Sequence, residues 1–393
     1  MKFKRGLALL LAAGTLTATM AGCGGDKKPA ADGSSSKPQK SVYEMTEEEL
    51  VAAAKEEGSV TFAVWHYEDL WREIGEGFTE KYGIKFDVAM GEQQALTNKA
   101  LAEKESEVGS IDVMKVGGEH TKITYDAGLF MGPTLPSIAA KDVLDEGLSV
   151  RQEGVEHNGY LVPLHLNQTG LLINPDKVPN PPQTWEELEA WIDENPKRFG
   201  FCDPSKGGSG QAFVFSAIGN LLDGYDKYYG DTEVEEADVK DWDKVWQWFN
   251  ERKDKMTITT SNKDSLARLN QGELYMVVGW DDLTVSTMKS GELFKEAKLY
   301  IPKFGLPGGG DTAGIMKNAP HPAASLLLLN YFTSPEVQQK FNEVLNTYPA
   351  RNDVEVVNTS IAPEDFANRT SWIPAQYKQK FINDFVANVL MVG

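Results

Sequence analysis

Aromatic side chains that adjoin carboxylates are the residues of this sequence best suited to hold a charged ligand. Trp65 ends the predicted strand 59–65, and Trp280 and Asp281 follow the apolar predicted strand 275–279. The face of an aromatic ring attracts a cation by about 0.5–2 kcal/mol, and more as water leaves. A neighbouring carboxylate adds its charge, so the pattern predicts a site for a small cation. The alternative interpretation places both tryptophans in core or hinge packing.

Polar residues near other predicted strand ends extend this site. Glu119 follows two glycines, which let the backbone approach a ligand closely, and supplies a second carboxylate. Ser209 and Gly210 lie in a glycine-rich loop before a predicted helix over 212–222, where backbone N–H groups bind anions; a tight structural turn is the alternative. Tyr348 is either a last ligand contact or part of a stabilising loop. The candidate ligand contacts are therefore Trp65, His66, Glu119, Asn167, Ser209, Gly210, Trp280, Asp281 and Tyr348.

The sequence shows no pattern typical of a catalytic or metal centre. The histidines are scattered without i, i+3 or i+4 pairs, and Cys202 has no histidine nearby in sequence. Asp281 and Asp282 suit a glycosidase poorly, because neighbouring residues on a strand point to opposite faces. Tyr228 and Tyr229 lie in a turn-like stretch and are expected to be exposed. We therefore expect no enzyme activity, no metal and no cofactor, with an extracytoplasmic enzyme such as a glycosidase as a less favoured alternative.

Alternating strands and helices position the candidate residues. The predicted strands are 59–65, 84–88 and 111–116, and the helices between them are 69–82 and 94–105. This order is that of a parallel α/β unit, in which ligands bind beyond the carboxyl ends of the strands. Two helices have a capping box at their start, Thr46 with Glu49 and Thr184 with Glu187.

Length and charge restrict the class of protein further. The chain has 393 residues, of which 41% are hydrophobic and 25% charged, and this fits two globular domains. Lys and Arg number 39 against 58 Asp and Glu, which gives a formal net charge of −19. Binding to a phosphate backbone needs clustered Lys and Arg. Nucleic acid is therefore excluded as a partner.

The first residues have the composition of an export signal. Positive residues within 2–5 precede an apolar run at 6–13, and small residues lead to Cys23. The arrangement resembles a bacterial lipobox, in which the cysteine is lipid-modified; a plain secretory signal is the alternative. Residues 1–22 are predicted to be the lipoprotein signal peptide, and 23–45 a flexible tether rich in Gly, Ser, Pro and Lys. We expect the protein to be anchored to the cell membrane by lipid, facing the extracellular or periplasmic side.

An ordered set of segments connects the chain with a known family. The segments are 58–61, 78–85, 111–113, 182–188, 318–324 and 332–338. Through them the chain resembles the extracellular solute-binding proteins of bacterial ABC importers, closest to the branch with polyamine, thiamine and ferric-ion binders. The resemblance implies a two-lobe α/β fold of type II with a ligand cleft between lobes, joined by strands crossing near 161–173 and 299–310. Lobe one would comprise 46–171 and 304–393, and lobe two 172–303.

The resemblance also implies a function. A monomer of this kind captures a small-molecule solute by hinge closure and delivers it to an ABC permease in the membrane. The aromatic and acidic candidates predict a cationic organic solute similar to a polyamine or thiamine. A sugar or oligosaccharide is the alternative solute, since aromatic rings with carboxylates and amides also bind sugars. A sensor or adhesin that uses the same fold without transport stays open.

Overall fold

The computed structural model of the protein describes residues 40–118, 120–222, 224–229 and 233–392. The predicted signal peptide, Cys23 and the predicted tether up to residue 39 lie outside the described residues, as does Glu119. Residues 41–393 form one compact unit. Among the described helices, none is both long enough and apolar enough to cross a membrane.

Helices and strands alternate along most of the chain. The helices are α1 (Glu47–Glu57), α2 (Glu68–Tyr82), α3 (Gln93–Glu103), α4 (His120–Asp126), α5 (Glu146–Val150), α6 (Trp185–Glu194), α7 (Gly208–Leu221), α8 (Glu236–Val239), α9 (Trp242–Arg252), α10 (Asn262–Asn270), α11 (Asp281–Ser290), α12 (Pro322–Phe332), α13 (Pro335–Lys340) and α14 (Ala375–Phe385). The strands are β1 (Ser59–Val64), β2 (Lys85–Met90), β3 (Val113–Val116), β4 (Arg151–Gln152), β5 (Val155–Glu156), β6 (Val162–Ile173), β7 (Phe199–Cys202), β8 (Met256–Thr259), β9 (Met276–Trp280), β10 (Lys298–Tyr300), β11 (Leu306–Ile315), β12 (Tyr348–Pro349) and β13 (Arg369–Ser371). The alternation predicted for residues 59–116 is confirmed.

The main sheet contains two parallel parts that are joined by long antiparallel strands. Its strand order is β2-β1-β3-β11-β6-β9-β7-β8. β1 is parallel to β2 and β3, and β7 is parallel to β8 and β9. Between these parts β6 and β11 run antiparallel, with Gly309 opposite Asn167. The first predicted crossing is β6, and the second falls on β10 and the first half of β11.

A first hydrophobic core packs on β1. Phe62 of β1, Trp71 of α2 and Phe332 of α12 are fully buried, and their ring centroids lie 5.0 to 5.5 Å apart. Such edge and tilted contacts are favourable for aromatic rings beyond the area they bury. Because α12 follows β11, this core is complete only after the chain has returned from the other part of the sheet.

A second core packs on β7. Phe201 of β7, Phe213 of α7 and Phe249 of α9 are buried, with centroids 4.8 to 5.8 Å apart. Phe385 of α14 joins them, 5.0 Å from the Phe249 ring. The sequence analysis assigned residues 304–393 to lobe one, whereas α14 packs with the residues predicted for lobe two. The other lobe boundaries stay a prediction.

Local sequence patterns predict where helices begin better than they predict which aromatic side chains are buried. Both predicted capping boxes are present, at Thr46 and Thr184. The prediction that Tyr228 is exposed is wrong: its side chain is fully buried and its hydroxyl accepts a hydrogen bond of 3.0 Å from Trp242 Nε1. The polar neighbours of Tyr228 suggested a solvated turn, but the ring packs 5.1 Å from Tyr377 of α14, a contact distant in sequence.

Candidate functional site

The turn after β1 has an unusual backbone. His66 and Tyr67 have φ angles of 60° and 59°, in the left-handed region that residues with a Cβ rarely adopt. Neither is glycine, and Tyr67 is 44% exposed. Trp65, just before them, is half-buried. Strain of this kind is retained where surrounding structure enforces it, often at binding sites.

A buried ion pair lies beneath Trp65. Lys115 is 1% exposed, and its Nζ is 2.8 Å from Asp311 Oδ2 and 4.5 Å from the centroid of the Trp65 ring. His165 Nε2 lies 3.3 Å from the same carboxylate oxygen. Burial opposes ionisation of Asp311, but the charge of Lys115 and the contact with His165 outweigh it and hold the pKa of Asp311 below its usual range. Burial lowers the pKa of His165, so its imidazole is neutral at pH 7.

Gly117, after β3, permits this close arrangement. An added Cβ would lie 2.3 Å from Asp311 Oδ1 and 3.3 Å from Trp65 Cζ2, so a larger residue would displace both. Its carbonyl accepts a hydrogen bond of 2.8 Å from Gln93 Nε2. The close approach that the sequence analysis assigned to a ligand is made at this glycine by side chains of the protein itself.

Two tryptophans form the opposite wall, on the second core. Trp280 is half-buried at the end of β9, and an added Cβ at Gly208 would lie 2.8 Å from its Cζ2. The Trp280 ring centroid is 6.1 Å from that of Trp372, with an angle of 32° between the planes. Trp372 follows β13 and covers Gly309, where an added Cβ would lie 2.8 Å from Trp372 Cδ1. Sequence reasoning found Trp280 and missed Trp372.

Asp281 and Tyr348, both predicted contacts, bond to each other. The Asp281 carboxylate accepts hydrogen bonds from the hydroxyl of Tyr348, from Thr359 Oγ1, and from both the N–H and Oγ of Ser360. Burial raises the pKa of Asp281 despite these donors. Both residues are buried. The structure therefore favours the stabilising-loop interpretation of Tyr348 and gives Asp281 the same role.

We expect Tyr348→Phe to lower the free energy of unfolding by about 1–2 kcal/mol, because a buried carboxylate loses one donor. Urea denaturation measures this change. Tyr82→Phe is the control, since the Tyr82 hydroxyl has no hydrogen bond among the described residues, and it should change stability by less than about 0.5 kcal/mol. Equal losses in the two variants would contradict the assigned role.

Asp282, which the sequence analysis set aside, faces the first core instead. Its carboxylate accepts a hydrogen bond of 2.8 Å from the N–H of Leu283, and no described Lys, Arg or His lies within ion-pair distance. Burial, together with the charges of Asp281 and Asp311, raises the pKa of Asp282 to about 6. Burial and the charge of Asp282 likewise raise the pKa of Tyr67 to about 12. A partly buried carboxylate without a cation thus lies near an aromatic ring across the cleft.

Ser209 and Gly210 lie inside the first turn of α7, which begins four residues before the predicted start. Ser209 Oγ donates a hydrogen bond of 2.7 Å to Asn262 Oδ1, and its N–H donates to the same oxygen. An added Cβ at Gly210 would lie 1.8 Å from the Cys202 carbonyl oxygen. Both residues are buried. This geometry matches the tight-turn alternative, in which the small residues let α7 pack on β7.

Three further predicted contacts have different outcomes. Asn167 is half-buried on β6 opposite Gly309, and an added Cβ at Gly309 would lie 3.7 Å from its Oδ1. His66 is exposed beside Tyr67, with ring centroids 6.1 Å apart. Glu119 lies outside the described residues and stays a prediction. The structure thus places Asn167 on a crossing strand and Trp280 beside one, opposite Thr169, whereas His66 lies in the turn after β1.

Two cavities open at the strand ends. One of about 750 Å³ lies between residues that follow β3, residues that follow β7, and α14. Its lining includes Gln93, Gly118, His120, Ser205, Gln211 and Lys378. A second cavity, of about 680 Å³, is lined by Tyr67 and Asp282, among others. Cavities of this size hold small molecules, and their position at strand ends is the one expected for ligands of α/β sheets.

Comparison with known structures identifies the fold. An extracellular solute-binding protein from Bordetella parapertussis matches with a TM-score of 0.66 and 16% identity, over 84% of this chain and 98% of that chain. An ABC transporter protein from Clostridium perfringens matches with a TM-score of 0.64 and 21% identity, over 84% and 98%. The spermidine/putrescine substrate-binding protein of Streptococcus pneumoniae matches with a TM-score of 0.64 and 11% identity, over 84% and 98%. The predicted two-lobe fold is confirmed.

Comparison of sequences identifies the family. No curated protein sequence matches the chain significantly. The family model described as bacterial extracellular solute-binding protein matches residues 73–368, which is most of the chain. The match includes β6, β11 and β9 with its last residue, Trp280, and the helix α11 after it. The chain belongs to the family of bacterial extracellular solute-binding proteins.

Proposed function

We propose that this chain is the solute-capturing component of an ABC importer and that its solute is a small organic cation. Family membership supports solute binding outside the cytoplasm. The names of similar structures support a transporter: one is an ABC transporter protein, and another binds spermidine and putrescine substrates. Delivery to a permease, anchoring through a lipid on Cys23 and release of the solute without chemical change are parts of the same proposal.

The unpaired carboxylate of Asp282 carries the choice of a cation. Asp311 is neutralised by Lys115, and Asp281 is saturated by hydrogen bonds. Asp282 alone among these three carboxylates faces the cleft without a compensating charge from the described residues. A buried charge without a partner is costly, and a cationic solute would supply the partner. Trp280 would add a cation–π contact, whereas the Trp65 and Tyr67 rings already have Lys115 Nζ 4.5 and 5.9 Å from their centroids.

The crossing strands provide the movement that traps the solute. β6 and β11 connect the two cores, and Gly308, Gly309 and Gly310 lie consecutively in the middle of β11. Rotation of the cores about this segment would widen or narrow the space between Tyr67 and Asp282, and narrowing it would exclude water. A solute that contacts both walls binds the closed form better and therefore increases its population.

A neutral polyhydroxy solute is the second candidate, and the 750 Å³ cavity favours it. The amide nitrogens of Gln93, Gln211 and Gln379 already donate to Gly117, Pro204 and Asn383. Their amide oxygens are left as acceptors for hydroxyl groups. No carboxylate occurs among the described residues that line this cavity. Sugar binding would use these amide oxygens as acceptors within the cavity.

A thermal-shift screen of residues 42–393 tests the proposal. The compounds are spermidine, putrescine, thiamine, glucose, maltose and glycine, each at low and high salt. A solute at 100 times its Kd stabilises the fold by about 2.7 kcal/mol. We expect stabilisation by a cation, weaker at 0.5 M salt because surface charges that steer it inward are screened. Stabilisation by a sugar alone, unaffected by salt, would replace the cation with the second candidate.

Trp280→Ala tests the aromatic wall. We expect it to weaken the binding of the stabilising polyamine or thiamine by about 1–3 kcal/mol, because a central aromatic contact is lost. Isothermal titration calorimetry measures the change. The control is Trp191→Ala, on α6, a partly buried tryptophan that packs against the second core outside the cleft. Equal affinity in Trp280→Ala and the wild type would remove Trp280 from the site.

A further inference from the structure

The C-terminal segment 369–385 lies on the second core. Its α14 packs in the second core through Phe385, and β13 pairs with the second-core end of β11. The hairpin of β4 and β5 faces this segment from the other side. Gln152 of the hairpin donates hydrogen bonds to the carbonyls of Val116 and Gly310, which fixes it to β3 and the middle of β11.

Two ion pairs connect the C-terminal segment to this region, one to the hairpin and one to Asp145, the residue before α5. Lys378 Nζ on α14 lies 2.7 Å from Glu153 Oε2, with the two side chains 18% and 10% exposed. Arg369 NH1 on β13 lies 3.3 Å from Asp145 Oδ2, with both side chains less than a quarter exposed. Partial burial reduces screening by salt, so each pair is stronger than an ion pair on an open surface.

Backbone contact accompanies the ion pairs. Glu153 has a φ of 48° and Gly154 a φ of 76°, so the tip of the hairpin is in the left-handed region. An added Cβ at Gly154 would lie 2.4 Å from the Pro374 backbone nitrogen. The hairpin tip therefore touches the segment between β13 and α14, and only glycine fits at the contact.

The same contacts hold the second tryptophan of the cleft wall. Lys378 Nζ lies 4.4 Å from the centroid of the Trp372 ring while it bonds to Glu153. Trp372 in turn packs against Trp280. Lys378 also lines the 750 Å³ cavity, so this contact forms part of its rim.

We propose that a C-terminal clasp holds the two cores in the closed arrangement and positions Trp372 behind Trp280. One side of the clasp consists of Asp145, Glu153 and Gly154, and the other side consists of Arg369, Trp372, Pro374 and Lys378. The proposal rests on the hinge closure described under Proposed function. It concerns the equilibrium of the protein without solute, and it holds whichever solute binds. Opening of the cleft breaks both ion pairs, so the clasp sets how much of the free protein is closed and how fast a bound solute leaves.

Distance measurement between spin labels tests the clasp in the absence of solute. Labels are attached through Glu76→Cys on α2 and Asp243→Cys on α9, both exposed, while Cys202 is buried. We expect Lys378→Gln and Glu153→Gln each to raise the ratio of long to short distances about two- to fivefold. The charge exchange Lys378→Glu with Glu153→Lys restores the short distance.

Lys380→Gln is the matched control, because Lys380 is on the same helix and pairs with Asp384 within it. It should leave the distances unchanged. Wild-type distances in both Lys378→Gln and Glu153→Gln would overturn the clasp, as would equal changes in Lys378→Gln and Lys380→Gln. The distance measurement contains no solute, so a negative result there contradicts the clasp alone. The cation proposal is tested separately, by the thermal-shift screen.

Discussion

Lys115→Met is expected to lower the free energy of unfolding by about 3–5 kcal/mol, because it leaves the charge of Asp311, whose side chain is only 20% exposed, without its partner. In the wild type Lys115 is the charge partner of Asp311, since burial lowers the pKa of the neighbouring His165. Lys115 Nζ also lies over the Trp65 ring, so the turn that carries Trp65 loses its support. Urea denaturation followed by circular dichroism measures the loss.

Two variants distinguish the buried pair from a general effect of removing a lysine. Lys122→Met removes a lysine that pairs with the exposed Asp126 within one helix, and should cost less than about 1 kcal/mol. The double variant Lys115→Met with Asp311→Asn should recover part of the loss, because no unpaired charge remains. A loss below about 1 kcal/mol in Lys115→Met would show that Asp311 is not desolvated as the geometry indicates.

Asp282→Asn is expected to stabilise the protein without solute and to weaken cation binding at the same time. The pKa of Asp282 is raised to about 6 in the folded protein, against about 3.9 for an exposed aspartate. A raised pKa means that the group favours folding below its unfolded pKa and that this contribution is lost as pH rises through about 6. At pH 7 the charged form opposes folding, so Asn should add about 1–3 kcal/mol to the free energy of unfolding.

The same change should weaken binding of the polyamine or thiamine at least tenfold, because the charge partner of the cation is lost. In the wild type, affinity should fall as pH drops from 7 to 5, since Asp282 becomes protonated. Asp69→Asn, an exposed carboxylate on the rim of the same cavity, is the control for charge alone. A higher free energy of unfolding in Asp282→Asn together with an unchanged affinity for the cation would show that Asp282 has no role in binding.

Local patterns were sufficient for the frame of the site. Thr46 and Thr184 mark the starts of helices, because their capping contacts are made within four residues. The apolar runs before Trp65 and Trp280 predict buried strands that end at these residues. Because ligands of parallel sheets bind at such ends, the two tryptophans followed from sequence alone. The same reasoning covers the alternation of strands and helices over 59–116.

The acidic pair shows where local reasoning failed. The sequence analysis treated Asp281 and Asp282 as neighbours on a strand and chose Asp281. In the structure β9 ends at Trp280 and α11 begins at Asp281, so the two side chains diverge by the turn of a helix. Which one faces the cleft depends on the loop at 359–360, which donates to Asp281 and is about 80 residues distant.

Trp372 and the ion pair of Lys115 with Asp311 were missed for a related reason. Each depends on pairing between strands far apart in sequence: β13 with β11, and β3 with β11. Periodicity in the sequence reports which face of a strand is apolar, and not which strand lies beside it. A charged residue inside a buried strand, as Lys115 is in β3, was the available signal that an opposite charge lies nearby.

Each hydrophobic core is completed by a helix that comes late in the sequence, and this affects how the chain folds during synthesis. The first core needs α12, and the second needs α14, which ends at Phe385 of a chain of 393 residues. Neither core can therefore form completely from an N-terminal fragment. Contacts of such long sequence separation make folding slow relative to local structure. Completion of both cores therefore waits until nearly the whole chain has been synthesised.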